Sequence, residues 1–321
     1  MRIGLFTPLF QSLSLDQLLL ELKKYPEITA VEIGCGGWPG SDHIDVDLLL
    51  NNSTAAKEYR QRFSDAGLII SALSCHNNPV HPQAAVAQRD RNIIDRTLSL
   101  AERLEVPVVI GFSGCPGGAA GDSSPNWITS AWPPEYLQAL EWQWEHELIP
   151  YWRGIENRAA AAGLKIALEA HPGFCVYNPE TLLRLRHATG NALGINLDPS
   201  HMWWQGIDIP TAIANLGQAI FHFHAKDVVI NPNQTRANGV LDTKSYERMP
   251  ERSWLFRSVG WGHSELDWKA IASALRLAGY DYVMSIEHED ALASTGEGLR
   301  SALNTLSRAL LTEPPVKAYW T

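Results

Sequence analysis

Eight times along this chain a short apolar run gives way to a stretch of helical periodicity, and no other feature limits the fold as tightly. The predicted strands are 2–6, 30–33, 68–73, 106–112, 165–169, 194–197, 220–224 and 282–287. Helical patterns follow them: one opening at Ser14, then 54–66, 84–104, 134–162 with an interruption at Pro150, 179–188, 210–216, 268–278 and 298–311. Short apolar strands alternating with helices indicate parallel βαβ units. Eight in succession within 321 residues predict an α/β protein with one closed (β/α)8 TIM barrel, a single domain over 1–321. An open doubly wound sheet would call for a Gly-rich phosphate loop after the first strand, where this chain reads Thr7-Pro8-Leu9-Phe10. Two connections are long: 119–134, rich in Gly, Ser, Pro and Trp, and 228–262, expected to be irregular.

The last four strands share a design. KIALEAH ends in Glu169, GINLDPSH in Asp198, IFHFHAKD in His224, and YVMSIEHED in Glu287. Each puts a metal-competent side chain at the C-terminal end of an apolar strand, and in a parallel barrel those ends meet on the face where chemistry is done. Taken singly, each is explained as a polar residue capping a loop. Taken together on strands five to eight, Glu169, Asp198, His224 and Glu287 read as the ligands of one divalent metal. Hard oxygen donors with one imidazole suit Mn2+ first, with Mg2+, Co2+ or Zn2+ as alternatives.

The net charge of -9 and the absence of a visible basic face argue against a nucleic-acid partner. No stretch reaches the roughly 18 apolar residues of a membrane span, and the N-terminus lacks an apolar leader with a cleavage site. A cytoplasmic protein is expected. Its four cysteines, Cys35, Cys75, Cys115 and Cys175, are spaced too widely for a zinc site or a disulfide framework and are expected as buried free thiols.

Several segments then resemble one family. LEAHPGF, LDPSH, HFHAKD and SIEHED, with SCHNNPVHP at 74–82 and RSVGWGHSELDW at 257–268, make the chain similar to the sugar phosphate isomerase/epimerase superfamily, the xylose-isomerase-like TIM barrels. The resemblance covers essentially the whole chain and implies the metal ligands Glu169, Asp198, His224 and Glu287. In the ketose 3-epimerase branch the two ligand glutamates are also acid and base, so it implies Glu169 and Glu287 as catalytic residues. It also implies His201, three positions after Asp198, as a catalytic or substrate-contacting group. The expected activity is a metal-dependent sugar isomerase or epimerase that abstracts a proton beside a metal-bound carbonyl and hydroxyl. The alternative is a lyase or deglycosidase that acts on a 3-oxo-glycoside by elimination. A repair endonuclease of the related multi-metal type would need more ligands and a basic surface. A sugar-binding barrel without catalysis would not need the intact ligand set.

Further substrate contacts are expected from His76 on the third loop and from His171, which alternation places on the side of Glu169. Lys226 could face an oxyanion or pair with Asp227, and Glu32, which ends the second strand, is expected to contact substrate or to brace the barrel mouth. Trp132 is one of seven tryptophans in or beside the top-face loops, of which one or two are expected to stack on a sugar. The ketose 3-epimerases carry a second Glu shortly after the first ligand and an Arg after the ligand His. Here those stretches read HPGFCVY and AKDVVINP. With the two long loops, this points toward a glycoside or keto-sugar as the small-molecule substrate. A homo-oligomer is compatible with the barrel.

Overall fold

The computed structural model describes residues 1–320. Eight parallel strands close on themselves: β1 (Arg2–Phe6), β2 (Ile28–Gly34), β3 (Ile69–Ser74), β4 (Val108–Phe112), β5 (Lys165–Glu169), β6 (Leu193–Leu197), β7 (Ile220–Ala225) and β10 (Val283–Ile286), with β10 hydrogen-bonded to β1. The predicted (β/α)8 barrel is therefore the fold, and each strand lies within two residues of its predicted limits.

Alternation along the strands sorts side chains between two cores. In β5, Ile166 and Leu168 pack outward into the large cluster beneath the helices, and Ala167 joins a small cluster with Val108, Ile110 and Phe221. Glu169 shares the parity of Ala167 and turns inward. In β6, Leu193, Ile195 and Leu197 pack outward, which leaves Asn196 and then Asp198 for the interior. The β6–β7 register shifts between Ile195 and Asn196, so that Asn196 pairs with His222. His222, His224 and Lys226 then share one face. In β10, Met284 and Ile286 pack outward and Glu287 follows on the inner side.

Local signals set the helix starts. Capping boxes open the helices Leu15–Leu22 at Ser14, Pro179–Thr189 at Asn178, Glu265–Leu277 at Ser264 and Thr295–Ala309 at Ser294. The last two begin three residues before the predicted limits, because the cap outranks the first apolar residue as a start signal. Pro150 does not break the fourth helical segment. A π turn over Gln143–Leu148 joins the helix Glu135–Trp142 to Ile149–Ala161, and Pro150 sits in the first turn of the latter, where its missing N–H costs little.

The connection 228–262 departs from its expected irregularity. It opens with β8 (Asp227–Ile230), which pairs antiparallel with β9 (Trp254–Arg257), and it carries a helix at Pro232–Asn238. The four cysteines are buried and free, as expected. Among the described residues, no helix is long and apolar enough to cross a membrane.

Gly194 marks the tightest point of the barrel wall: a Cβ there would lie 2.3 Å from the Ala219 carbonyl oxygen and 2.6 Å from the Phe221 ring. Gly194→Ala is expected to destabilise the fold by about 1–3 kcal/mol through overpacking, read as a lower urea midpoint at unchanged slope.

Candidate metal centre

Three carboxylates and one imidazole converge above the barrel interior. Single ligand atoms of Glu169, Asp198, His224 and Glu287 all lie within 4.8 Å of one another. Donors held at about 2.0–2.6 Å from one ion are at most about 5 Å apart, so the spread fits a single divalent metal. Asp198 supplies a second sign of fit. Its Oδ1 accepts the Ser200 N–H at 2.8 Å, whereas the buried Oδ2 has no hydrogen-bond partner. Lys226 Nζ and His201 Nε2 stand 3.0 and 3.2 Å from that oxygen as ionic neighbours only.

The charge balance agrees. Glu32, Glu169, Asp198 and Glu287 are buried or nearly so, and Lys226, His224, His76 and His201 face them from within the cluster. Carboxylates buried at this density suit a cation among them. Burial, with Glu169 and Glu287 close by, pushes the Asp198 carboxyl up to about 7 in spite of Lys226. The other carboxylates are better served. Burial also opposes ionisation of Glu169, but His224 and hydrogen bonds from His201 and His76 hold it well below the usual range. Lys226 and His224 do the same for Glu287.

His224 bridges two sets of carboxylates. Its Nδ1 is 3.1 Å from both Glu169 Oε2 and Glu287 Oε2, and its Nε2 is 2.9–3.0 Å from both oxygens of Glu32. Glu32 is thus placed away from the cavity, fully buried, with Ser74 donating to it. Of the two expectations for Glu32, the structure places it where it can brace the ring that presents Nδ1 to the centre. A carboxylate behind a ligating histidine is the usual way such a ring is oriented.

The cavity above these residues has a volume of about 310 Å³ and is lined by His76, Glu169, His171, Lys226 and Glu287 among others. His76 Nε2 lies 3.0 Å from Glu169 Oε2, and its ring meets Phe112 edge-on at 4.6 Å. His171 does stand on the Glu169 side. Burial lowers it to about 4, in spite of Glu169 nearby. His201 lies beneath, 1% exposed, with Nε2 3.2 Å from Glu169 Oε1. Its reach into the cavity is through His171, whose ring centroid is 4.1 Å away.

Lys226 does not pair with Asp227. Its ammonium sits 2.7 Å from Glu287 Oε2 and 3.1 Å from Glu289 Oε2. Asp227 turns the other way and accepts the backbone N–H groups of Val228, Gly260, Gly262 and His263.

Trp132 is placed apart from the cavity. Its side chain is 76% exposed and is not among the cavity-lining residues. Gln143 ties its loop to the outside of the barrel through the carbonyls of Pro116, Gly117 and Asn126. The tryptophan at the cavity is Trp38, which packs on Phe112 at 5.4 Å. Sequence reasoning passed over Glu289 and Phe256. Alternation beyond Glu287 carries a signal for Glu289; nothing local marks Phe256.

A second, apolar compartment of about 360 Å³ borders the first. It is lined by Tyr246, Met249, Leu255, Phe256, Ala291 and Leu292, and it shares His171 and Glu289 with the polar cavity.

The fold is that of a sugar isomerase-like barrel, and comparison with known proteins gives its family. Residues 22–308 match the family model described as xylose isomerase-like TIM barrel, and the chain belongs to that family. It is 40% identical over 286 residues to the uncharacterized protein YfiH of Bacillus subtilis (strain 168), covering 88% of this chain and 91% of that protein. Two solved structures share the fold. IOLI protein with a bound zinc atom aligns with a TM-score of 0.62 at 18% identity, covering 96% of this chain and 98% of that one. The 3-keto-D-glucoside 4-epimerase YcjR from E. coli gives 0.61 at 14%, covering 96% and 98%.

Two outcomes test the geometry. Glu32→Gln is expected to weaken Mn2+ binding about 10–100-fold, by calorimetry, at unchanged circular dichroism. Asp227→Ala strands four backbone donors at about 1–3 kcal/mol each when unmet. Limited proteolysis should then cut within 228–262 while the barrel stays folded.

Proposed function

We propose that this protein is a divalent-metal-dependent sugar isomerase or epimerase that moves a proton beside a substrate carbonyl. The observation that carries the reading is the convergence of Glu169, Asp198, His224 and Glu287, with the Asp198 Oδ2 left without a hydrogen bond. These four would hold the ion, Mn2+ by the hardness of the donor set, with Mg2+, Co2+ or Zn2+ as alternatives. Neighbours in fold support the class: the IOLI protein holds a zinc atom, and YcjR is a 3-keto-D-glucoside 4-epimerase.

When bound, a divalent ion supplies the Lewis acidity that polarises a carbonyl and acidifies the adjacent C–H. The chain's own residues do the rest. Glu169 and Glu287 both line the cavity, and both are held ionised by the cations and hydrogen bonds around them. Each therefore meets a substrate as a base. The one that removes the proton becomes an acid, and the other serves in the reverse direction, as epimerisation requires. His76 and His201 hold the Glu169 carboxylate from two sides, at 3.0 and 3.2 Å. Lys226 keeps a positive charge against Glu287, where negative charge on a substrate oxygen would also be favoured.

A second reading, elimination from a 3-oxo-glycoside, is favoured by the apolar compartment beside the cavity. It uses the same proton abstraction and then expels a leaving group. Product analysis separates the two: a product that retains all atoms is isomerisation, and a released aglycone is elimination.

The test of both is proton transfer itself. In D2O, with Mn2+ present and a panel of free and 3-oxo sugars, solvent deuterium should enter the substrate beside its carbonyl. Glu169→Gln and Glu287→Gln should each slow that exchange by about 10²–10⁴-fold at unchanged circular dichroism. Exchange at the wild-type rate in either variant would sink the acid/base assignment for that residue.

A further inference from the structure

We infer that the apolar compartment is a binding subsite for a planar, apolar group attached to the sugar, so that the substrate class is an aryl glycoside or its keto form. This rests on the proposed sugar site and extends it. Three observations carry it.

The first is continuity. His171 and Glu289 line both compartments, so one ligand can occupy the two together. The second is a change of chemistry at a shared wall. Phe256 meets the metal centre on one side, with Lys226 Nζ 4.6 Å from its ring centroid and His201 edge-on at 5.3 Å. It also stacks on Tyr246, with centroids 5.8 Å apart and planes 18° from parallel. Beyond that pair the lining is Met249, Leu255, Ala291 and Leu292, with Glu289 and His171 at the seam. A free sugar carries hydroxyls around its ring, for which this lining offers few partners. A flat apolar group fits it, because aromatic faces and a thioether offer contact area without demanding hydrogen bonds.

The third is that the compartment is built and held. One wall belongs to the β8–β9 insert and the other to the segment after β10. Asp290 joins them, accepting from Arg257 Nε at 3.1 Å and from the Ser258 N–H and hydroxyl at 2.8 and 2.9 Å. Asp227 pins the far end of the same insert. The apolar side chains are nonetheless open to solvent: Tyr246 is 54% exposed and Leu292 57%.

The test is equilibrium binding to the full chain loaded with Mn2+. Phenyl and methyl β-D-glucopyranosides, and their galacto and xylo counterparts, are compared pairwise by saturation-transfer NMR and titration. For at least one sugar the phenyl member should bind about tenfold more tightly than the methyl member, the scale expected for burying one face of a ring. Its ring protons should receive strong saturation. In Leu292→Asp and in Met249→Asp the phenyl-to-methyl ratio should fall toward one, with the melting temperature as a control for folding. A ratio near one in the wild type, a ratio untouched by both substitutions, or no saturation of ring protons in any pair overturns the inference. Conversion is read separately, in the D2O exchange experiment. A phenyl preference without exchange in any sugar leaves the subsite standing and sinks the proposed activity; exchange with a ratio near one does the reverse.

Discussion

Several carboxylates kept out of water within a few ångströms of one another are the condition to which the rest of this structure answers. Burying an ionised carboxylate is costly unless it is paired and hydrogen-bonded. Glu169, Asp198 and Glu287 arrive at one point because three strands end there with the same inward parity. Each then needs a cation or a donor. Lys226 and His224, next along the neighbouring strand on the same face, supply part of this. Glu32 steadies His224 from below, and His76 and His201 donate to Glu169. The Oδ2 of Asp198 has ionic neighbours but accepts no hydrogen bond. A protein that needed only a stable barrel would have no use for this arrangement, because apolar strand ends would pack at lower cost.

Two aspartates outside that cluster shape the cavity's outer half. Asp227 follows Lys226 directly, yet alternation sends the two side chains to opposite sides of the chain. The lysine goes to the carboxylates, and the aspartate gathers four backbone N–H groups of and beyond the insert. Asp290, three positions after Glu287, ties β9 to the segment after β10. Residues beside the chemistry thus hold the loops that border it, which keeps a long insert from being a loose one. Ordered walls suit a site that must admit one substrate and shed water.

Membership of the xylose isomerase-like barrels accounts for the position of the centre at the C-terminal ends of the strands. Specificity has to come from what each chain hangs around that face. Here that material is the hairpin after β7, with its aromatic cluster of Tyr246, Trp254 and Phe256. The polar floor and the apolar flank meet at Phe256, and the chemistry of the site changes within the width of one ring.

By itself the sequence determined the barrel and the four converging residues, because both are written in short-range periodicity: apolar runs of strand length, and a polar side chain at the parity that follows. It also placed His171 on the Glu169 side and the cysteines in the core. The roles of Glu32, Lys226 and Trp132 were not legible. Glu32 and His224 are 192 positions apart, and only closure of the barrel brings β2 under β7. Lys226 had an acidic neighbour in sequence and took more distant ones in space. Trp132 lies outside the cavity, with its loop held by Gln143, and Phe256 reaches the apolar compartment because β9 pairs with β8. Contacts of that kind depend on how loops and closing strands fold back across the barrel mouth, and no local pattern encodes that distance.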